Sequence, residues 1–337
     1  MTLSDVSAGS ASAGPAAGAD FAAGAENENW AARTRGLRKT YGKTVAVDQV
    51  DLDVPSGAVL GMLGPNGSGK TTTIRMLLGL TQPTEGTVEL LGRSMPDEAR
   101  QVLPSVGALV EGPGFHPHLS GRDNLRRCAA AEPLIETRYA KQAVSEALER
   151  VGLADASDRP FKGYSLGMKQ RLGLAAALLV PRNLVVLDEP TNGLDPAGTR
   201  EIRQVIADLH QAGTTVIVSS HLLAEIEATC THVAVLKRGL LVAQGSLGDL
   251  LSASNATLQV TTPDAERGVE ALRSAGVPAR VEGDGIRAEL IDSAAPFVIA
   301  TLVRADVEVY EAKPHRTGLE DFFALVTEES DSEEQAR

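Results

Sequence analysis

Apolar and polar positions divide the chain into stretches of different period. Residues 4–29 are rich in Ala, Gly and Ser and almost without apolar periodicity, the composition of a disordered arm. From residue 30 to residue 37 the pattern becomes strand-like. TVAVDQVDLDV, residues 44–54, alternates in part, with Val47, Val50, Leu52 and Val54 at strand spacing and a turn expected at Asp48. The apolar run 59–63 predicts a buried strand. Ile74, Leu77 and Leu78 then recur at helical spacing over 71–80, and Val144, Ala147, Leu148 and Val151 mark one face of a helix over 136–151. Residues 168–180 predict a helix whose second half is apolar all round. NLVVLDEP (183–190) and TTVIVSSH (214–221) are continuous apolar runs with polar ends, suited to central strands of a parallel sheet.

Beyond residue 252 the pattern changes. It predicts a strand (257–261), a helix (264–275), a hairpin (279–282 and 286–291, turning on Gly283-Asp284-Gly285), a helix (294–304), a strand (307–311) and a last helix (318–326). The first six spell βαββαβ, a ferredoxin-like order. Residues 328–337 form an acidic, solvated tail. Four parts are thus expected: an arm (1–29), a large domain (30–251), a small α+β domain (252–327) and the tail.

Composition narrows the possibilities. The 337 residues, 43% of them hydrophobic, supply core for one large and one small domain. A net charge of −12 argues against a general nucleic-acid binder. Cys128 and Cys230 are far apart with no CxxC, which fits two free thiols in a reducing compartment. The first positive charge is Arg33, and no basic segment precedes an apolar one, so no secretory signal is expected. No apolar run approaches the ~20 residues needed to cross a bilayer. Work at a membrane would require another chain to supply the span.

The most specific chemistry lies in GPNGSGKTT, residues 64–72. Gly64, Gly69, Lys70 and Thr71 satisfy GxxxxGK[ST] between a buried strand and a helix. Glycines let the backbone wrap closely and aim successive N–H groups inward, and the helix adds its positive end. Lys70 can reach terminal phosphates, the Thr71 hydroxyl can hold Mg²⁺, Asn66 and Gly67 shape the bend, and Thr72 is placed for the α-phosphate. A nucleoside triphosphate with Mg²⁺ is the expected ligand. Asp188 and Glu189 follow four apolar residues at a strand end, Asp188 placed to hold Mg²⁺ through water and Glu189 to polarise an attacking water. In YSLGMKQR (164–171), Ser165 and Gly167 precede a helix and offer a hydroxyl, an N–H and a helix N-terminus to an anion.

Together these motifs resemble the ATP-binding subunit of ABC transporters over residues 30–251. The family's signature loop is usually Leu-Ser-Gly-Gly-Gln. This chain keeps Ser165 and Gly167 but carries Leu166 and Met168, and YSLGMKQRLGLA is similar to the variant of bacitracin and multidrug exporters. The resemblance implies a P-loop NTPase fold with a mixed sheet core, a β-subdomain and a helical subdomain. It implies that Tyr41 stacks on adenine, that Asp195 of NGLDP belongs to a loop crossing a dimer, and that His221 senses the γ-phosphate. Glu111, 41 residues after Lys70, stands where glutamine is usual. A carboxylate there would ligate Mg²⁺ more strongly than an amide. The HxH of His116 and His118 lacks a third ligand nearby and fits an exposed loop better than a metal site.

The resemblance further implies a head-to-tail dimer of two copies, each ATP held between Lys70 of one and Ser165 of the other. It implies transmembrane permease subunits as partners, work at the cytoplasmic face of the membrane, and efflux of a drug, antibiotic or lipid-like substrate. Phe115, His118 and Leu119 are candidates to receive a permease helix. The alternative is a soluble, ribosome- or DNA-associated ABC ATPase. Ribosomal types usually carry two cassettes in one chain, and repair types a long coiled coil or zinc hooks. Neither feature is present here.

Overall fold

The computed structural model describes residues 29–110, 114–253, 257–290 and 294–315. Glu111, the expected helix 318–326, the tail, and the arm up to residue 28 lie outside them.

The chain opens with three strands, β1 (Trp30–Tyr41), β2 (Thr44–Val50) and β3 (Asp53–Pro55), followed by β4 (Val59–Leu63) and helix α1 (Lys70–Leu77). Next come β5 (Glu85–Leu90), β6 (Arg93–Met95), α2 (Ala99–Val102) and β7 (Val106–Leu109), then the helices α3 (Gly121–Ala131), α4 (Ala140–Arg150) and α5 (Leu166–Ala177). β8 (Leu184–Asp188), α6 (Pro196–Gln211), β9 (Thr215–Ser220), α7 (Leu223–Thr229), β10 (His232–Lys237), β11 (Leu240–Ser246) and α8 (Leu247–Ala253) follow.

The six-stranded sheet has the order β11-β10-β4-β9-β8-β7, all neighbours parallel except the edge pair β10–β11. Its central strands are buried on both sides, which explains their unbroken apolar runs. Val59, Leu63, Val185, Leu187, Val216 and Val218 face one core, shared with α3 to α6. Leu60, Met62, Leu184, Val186 and Ile217 face the other, shared with α1 and the antiparallel β1–β2–β5 layer. The two acids and the phosphate loop all leave the carboxyl ends of β8 and β4, where open α/β sheets bind ligands.

The turn expected at Asp48 is absent. β2 runs through it to Val50, because Asp48 N–H donates to the Gly239 carbonyl at 2.8 Å and Gln49 absorbs the irregularity with φ of 50°. The chain breaks instead at Asp51–Leu52.

The C-terminal elements are β12 (Thr257–Thr261), α9 (Ala265–Ser274), β13 (Ala279–Glu282), β14 (Gly285–Glu289), α10 (Ala295–Arg304) and β15 (Glu311–His315). The sheet order β13-β14-β12-β15, antiparallel throughout, is the expected βαββαβ arrangement. Leu258, Val260, Ile286 and Ala288 pack beneath Val269, Leu272, Val298 and Leu302 of the two helices. The strand expected at 307–311 lies later, at 311–315. Val307 is spent closing α10, its N–H on the Leu302 carbonyl at 3.1 Å and its side chain in the core, so the chain reaches β12 only at Tyr310, whose N–H bonds the Thr261 carbonyl, and pairs with it from Glu311. Pro314 is tolerated because β15 is an edge strand.

Candidate functional site

The phosphate loop joins β4 to α1. A Cβ at Gly64 would collide with the Leu236 carbonyl, so only glycine lets the loop leave the sheet here. Gly69, with φ of 104°, is the N-cap of α1, and no side chain caps this helix. The helices α3, α5 and α6 are capped by Ser120, Ser165 and Asp195. The first-turn N–H groups of α1 thus lack the side-chain acceptor that those helices carry. Lys70 is 5% exposed. Its Nζ donates to the Gly64 carbonyl at 2.7 Å and the Pro65 carbonyl at 3.2 Å, and lies 3.4 Å from Glu189 Oε1. Thr71 and Thr72 are half-buried on the same first turn, beside an exposed Asn66 and Gly67. An ammonium group and open helical N–H donors in one cradle fit a polyphosphate.

Asp188 ends β8 and Glu189 follows it in a left-handed conformation, φ 48°, which non-glycine residues adopt only when neighbours hold them. The neighbour is Ser219 of β9. Its buried Oγ donates to Asp188 Oδ1 at 2.6 Å and accepts from the Glu189 main-chain N–H at 2.9 Å. His221 Nδ1 lies 2.9 Å from Glu189 Oε2. Lys70, Asp188, Glu189 and His221 are therefore one connected cluster, with Ser219 an unforeseen member. The Asp188 carboxylate at the end of β8 and the Thr71 hydroxyl on α1 are hard-oxygen donors of the kind Mg²⁺ takes. A cleft of about 580 Å³ opens from Glu189 and His221 along 191–194 to Arg200 and Arg203.

The remaining predicted residues share no hydrogen bond or ion pair with this cluster among the described residues. Tyr41 is 48% exposed at the end of β1, with Lys39 Nζ 5.1 Å from its ring centroid. Ser165 is exposed and accepts from the Met168 N–H at 3.2 Å, and Gly167 follows it in α5. Asp195 accepts from the Gly198 N–H at 2.9 Å. Leu166 lies against the NGLDP loop, where a Cβ on Gly193 would come 2.8 Å from its Cδ2.

The segment before α3 is zipped to the segment before Ser165. Phe161 N–H bonds the Leu119 carbonyl and Lys162 N–H the Pro117 carbonyl, both at 2.9 Å. Phe115, Phe161 and Tyr164 make a chain of rings with centroids 5.3 and 5.9 Å apart. Phe115 is thus half-buried against Phe161, whereas His118 is exposed. No group of three or more His, Cys, Asp or Glu among the described residues is arranged to hold a metal ion.

Comparison with known proteins identifies the family. The sequence model of the family described as "ABC transporter" matches residues 47–192. The chain is 37% identical over 293 residues to YdbJ of Bacillus subtilis, an uncharacterized ABC transporter ATP-binding protein, covering 87% of this chain and 94% of that one. The chain belongs to the ABC transporter ATP-binding family. This ABC ATPase is also 34% identical to DrrA of Streptomyces peucetius, a daunorubicin/doxorubicin resistance ATP-binding protein, over 88% of this chain and 92% of DrrA. To BcrA of Enterococcus faecalis, a bacitracin transport ATP-binding protein, it is 43% identical over 64% of this chain and 70% of BcrA. Among solved structures, cbiO1 from Clostridium perfringens superposes with a TM-score of 0.60 at 25% identity, covering 67% of this ABC ATPase and 92% of cbiO1.

Proposed function

We propose that this chain is the ATP-hydrolysing subunit of an exporter that moves a drug, antibiotic or lipid-like compound through separate membrane subunits. The observation that carries the catalytic part is the cluster in which Ser219, Lys70 and His221 all converge on the Asp188–Glu189 pair. Export of such compounds is supported by the likeness to DrrA and BcrA. No helix among the described residues is long and apolar enough to cross a membrane. The chain acts on permease subunits from the cytoplasmic face. Residues 30–251 form the ATP-binding domain and 252–327 a separate C-terminal domain.

The N–H groups of 67–72 and the Lys70 ammonium hold the β- and γ-phosphates, and Tyr41 offers its exposed ring to adenine. Thr71, Asp188 and Glu111 would hold Mg²⁺, which would supply positive charge opposite the phosphate oxygens. Glu189 Oε2, steadied by His221, accepts a hydrogen bond from the attacking water and draws its proton. Ser165, exposed on the surface, and the half-buried Gly167 serve the nucleotide of a second copy arranged head to tail, with Asp195 at the crossing loop. Closure over two nucleotides and release after hydrolysis drive the permease.

The test is Glu189→Gln, which keeps shape and removes the proton acceptor. With MgATP it is expected to lose turnover and to run as a dimer in light scattering, while the wild type cycles. A variant that stays monomeric at saturating MgATP, alone and with its permease, refutes the dimer. One that keeps full turnover refutes the role of Glu189.

A further inference from the structure

Glu225 stands in the first turn of α7, half-buried, and is bonded to both loops of the candidate site. Its Oε2 accepts from Thr191 Oγ at 2.7 Å and from Ser220 Oγ at 2.8 Å. Ser220 Oγ in turn accepts from the Leu222 N–H at 3.0 Å. Thr191 comes two residues after Glu189, and Ser220 immediately before His221. One carboxylate oxygen thus fastens the loop that carries Glu189 to the loop that carries His221. The Glu189–His221 contact of 2.9 Å closes the ring.

We infer that Glu225 is a positioning residue for hydrolysis, setting the separation of Glu189 and His221 through Thr191 and Ser220. The inference rests on the roles proposed above for Glu189 and His221. Both bonds are charge-assisted, and such bonds hold geometry better than neutral ones. What they hold is demanding, since Glu189 sits at φ 48° and its side chain is shared between Lys70 and His221. If Glu225 were removed, the loops beyond the Ser219 bonds at the strand ends would be held chiefly by the Glu189–His221 contact, whose carboxylate is also the group that takes the proton of water.

A plainer role exists. An acid in the first turn of a helix is favourable to the helix dipole, and Leu222, the N-cap of α7, has no capping side chain. That accounts for an acid at this position but not for the convergence of two hydroxyls on it. Thr191→Val separates the two roles, because it cuts one bond without touching α7.

The experiment measures kcat, KM for MgATP, affinity for a fluorescent ATP analogue, and Tm on the full chain. The variants are Glu225→Ala, Thr191→Val, both together, and Glu189→Gln as control. The expected result is a fall in kcat of about tenfold for Glu225→Ala and about fivefold for Thr191→Val, with KM and analogue affinity within about twofold of wild type. The double variant is expected to be no slower than Glu225→Ala, since Glu225→Ala already removes the bond that Thr191→Val cuts. Unchanged kcat in both single variants, multiplying effects, or losses of affinity and Tm that track kcat would overturn the inference. Should Glu225→Ala not fold, Thr191→Val decides by the same criteria. An active Glu189→Gln defeats the site assignment. An inactive Glu189→Gln beside a fully active Glu225→Ala defeats only this inference.

Discussion

Ser219 Oγ donates to Asp188 Oδ1 at 2.6 Å, and the same oxygen accepts from the N–H of the next residue, Glu189. One hydroxyl on a neighbouring strand therefore fixes both the carboxylate and the backbone of the acidic pair. A hydrogen bond to a charged group contributes about 1.5–3 kcal/mol, so Ser219→Ala is expected to slow turnover by about tenfold to a hundredfold. Ser219→Thr, which keeps the hydroxyl, should recover much of the loss. Steady-state turnover across a Mg²⁺ titration checks this. Equal damage from both substitutions would point to packing.

Tyr41 is 48% exposed, and its ring meets Lys39 on one side. Stacking of a base on an aromatic ring contributes about 1–3 kcal/mol. Tyr41→Ala is expected to weaken nucleotide binding about fivefold to a hundredfold, and Tyr41→Phe to leave it nearly unchanged. Neither should move stability by more than about 0.5 kcal/mol, as for other exposed positions. Titration with a fluorescent ATP analogue and thermal melts give both readings.

Burial among apolar neighbours pushes the Cys230 thiol up to about 12. Its thiolate is therefore scarce at pH 8, and the side chain is buried. Cys128 is also raised by burial but is only half-buried. Native protein treated with iodoacetamide at pH 8 is expected to gain one label, slowly, at Cys128, and denatured protein two. Mass spectrometry of the labelled peptides reads the order.

His232, in β10, is held below the ordinary imidazole value of 6.5, chiefly because burial disfavours its charged form, with Asp249 pulling the other way. In the unfolded chain the ring takes up a proton as pH falls past 6.5, whereas in the fold it stays neutral to lower pH. Its contribution to stability is complete above 6.5 and is lost progressively below it. Tm should drop between pH 7 and 5.5, and His232→Gln should flatten that drop. An identical slope in the variant would assign the effect elsewhere.

The phosphate loop and the Asp188–Glu189 pair were legible because their chemistry is local: a strand, a turn and a helix in sequence dictate where Lys70 goes. The strands of the parallel sheet were legible because burial on both faces leaves unbroken apolar runs. Ser219 was not, since one serine closing TTVIVSSH looks like any strand end until β8 lies beside β9. Glu225 was hidden for the same reason, its partners lying 34 and 5 residues away. The strands β5, β6, β7 and β11 carried too little alternation to be singled out, whereas β10 holds a buried apolar run, Val233 to Leu236, of the same kind as β8 and β9. The misplaced strand near Val307 shows an apolar residue used by a helix end, where periodicity cannot tell one from the other.

The ring chain from Phe115 through Phe161 to Tyr164 ends one residue short of Ser165. The rings pack edge to face and tilted, and the main-chain bonds of Phe161 and Lys162 to Leu119 and Pro117 hold the two segments together. The loop before α3 and the tip of α5 are thus joined through both side chains and main-chain bonds, so neither can shift without breaking these contacts or carrying the other with it.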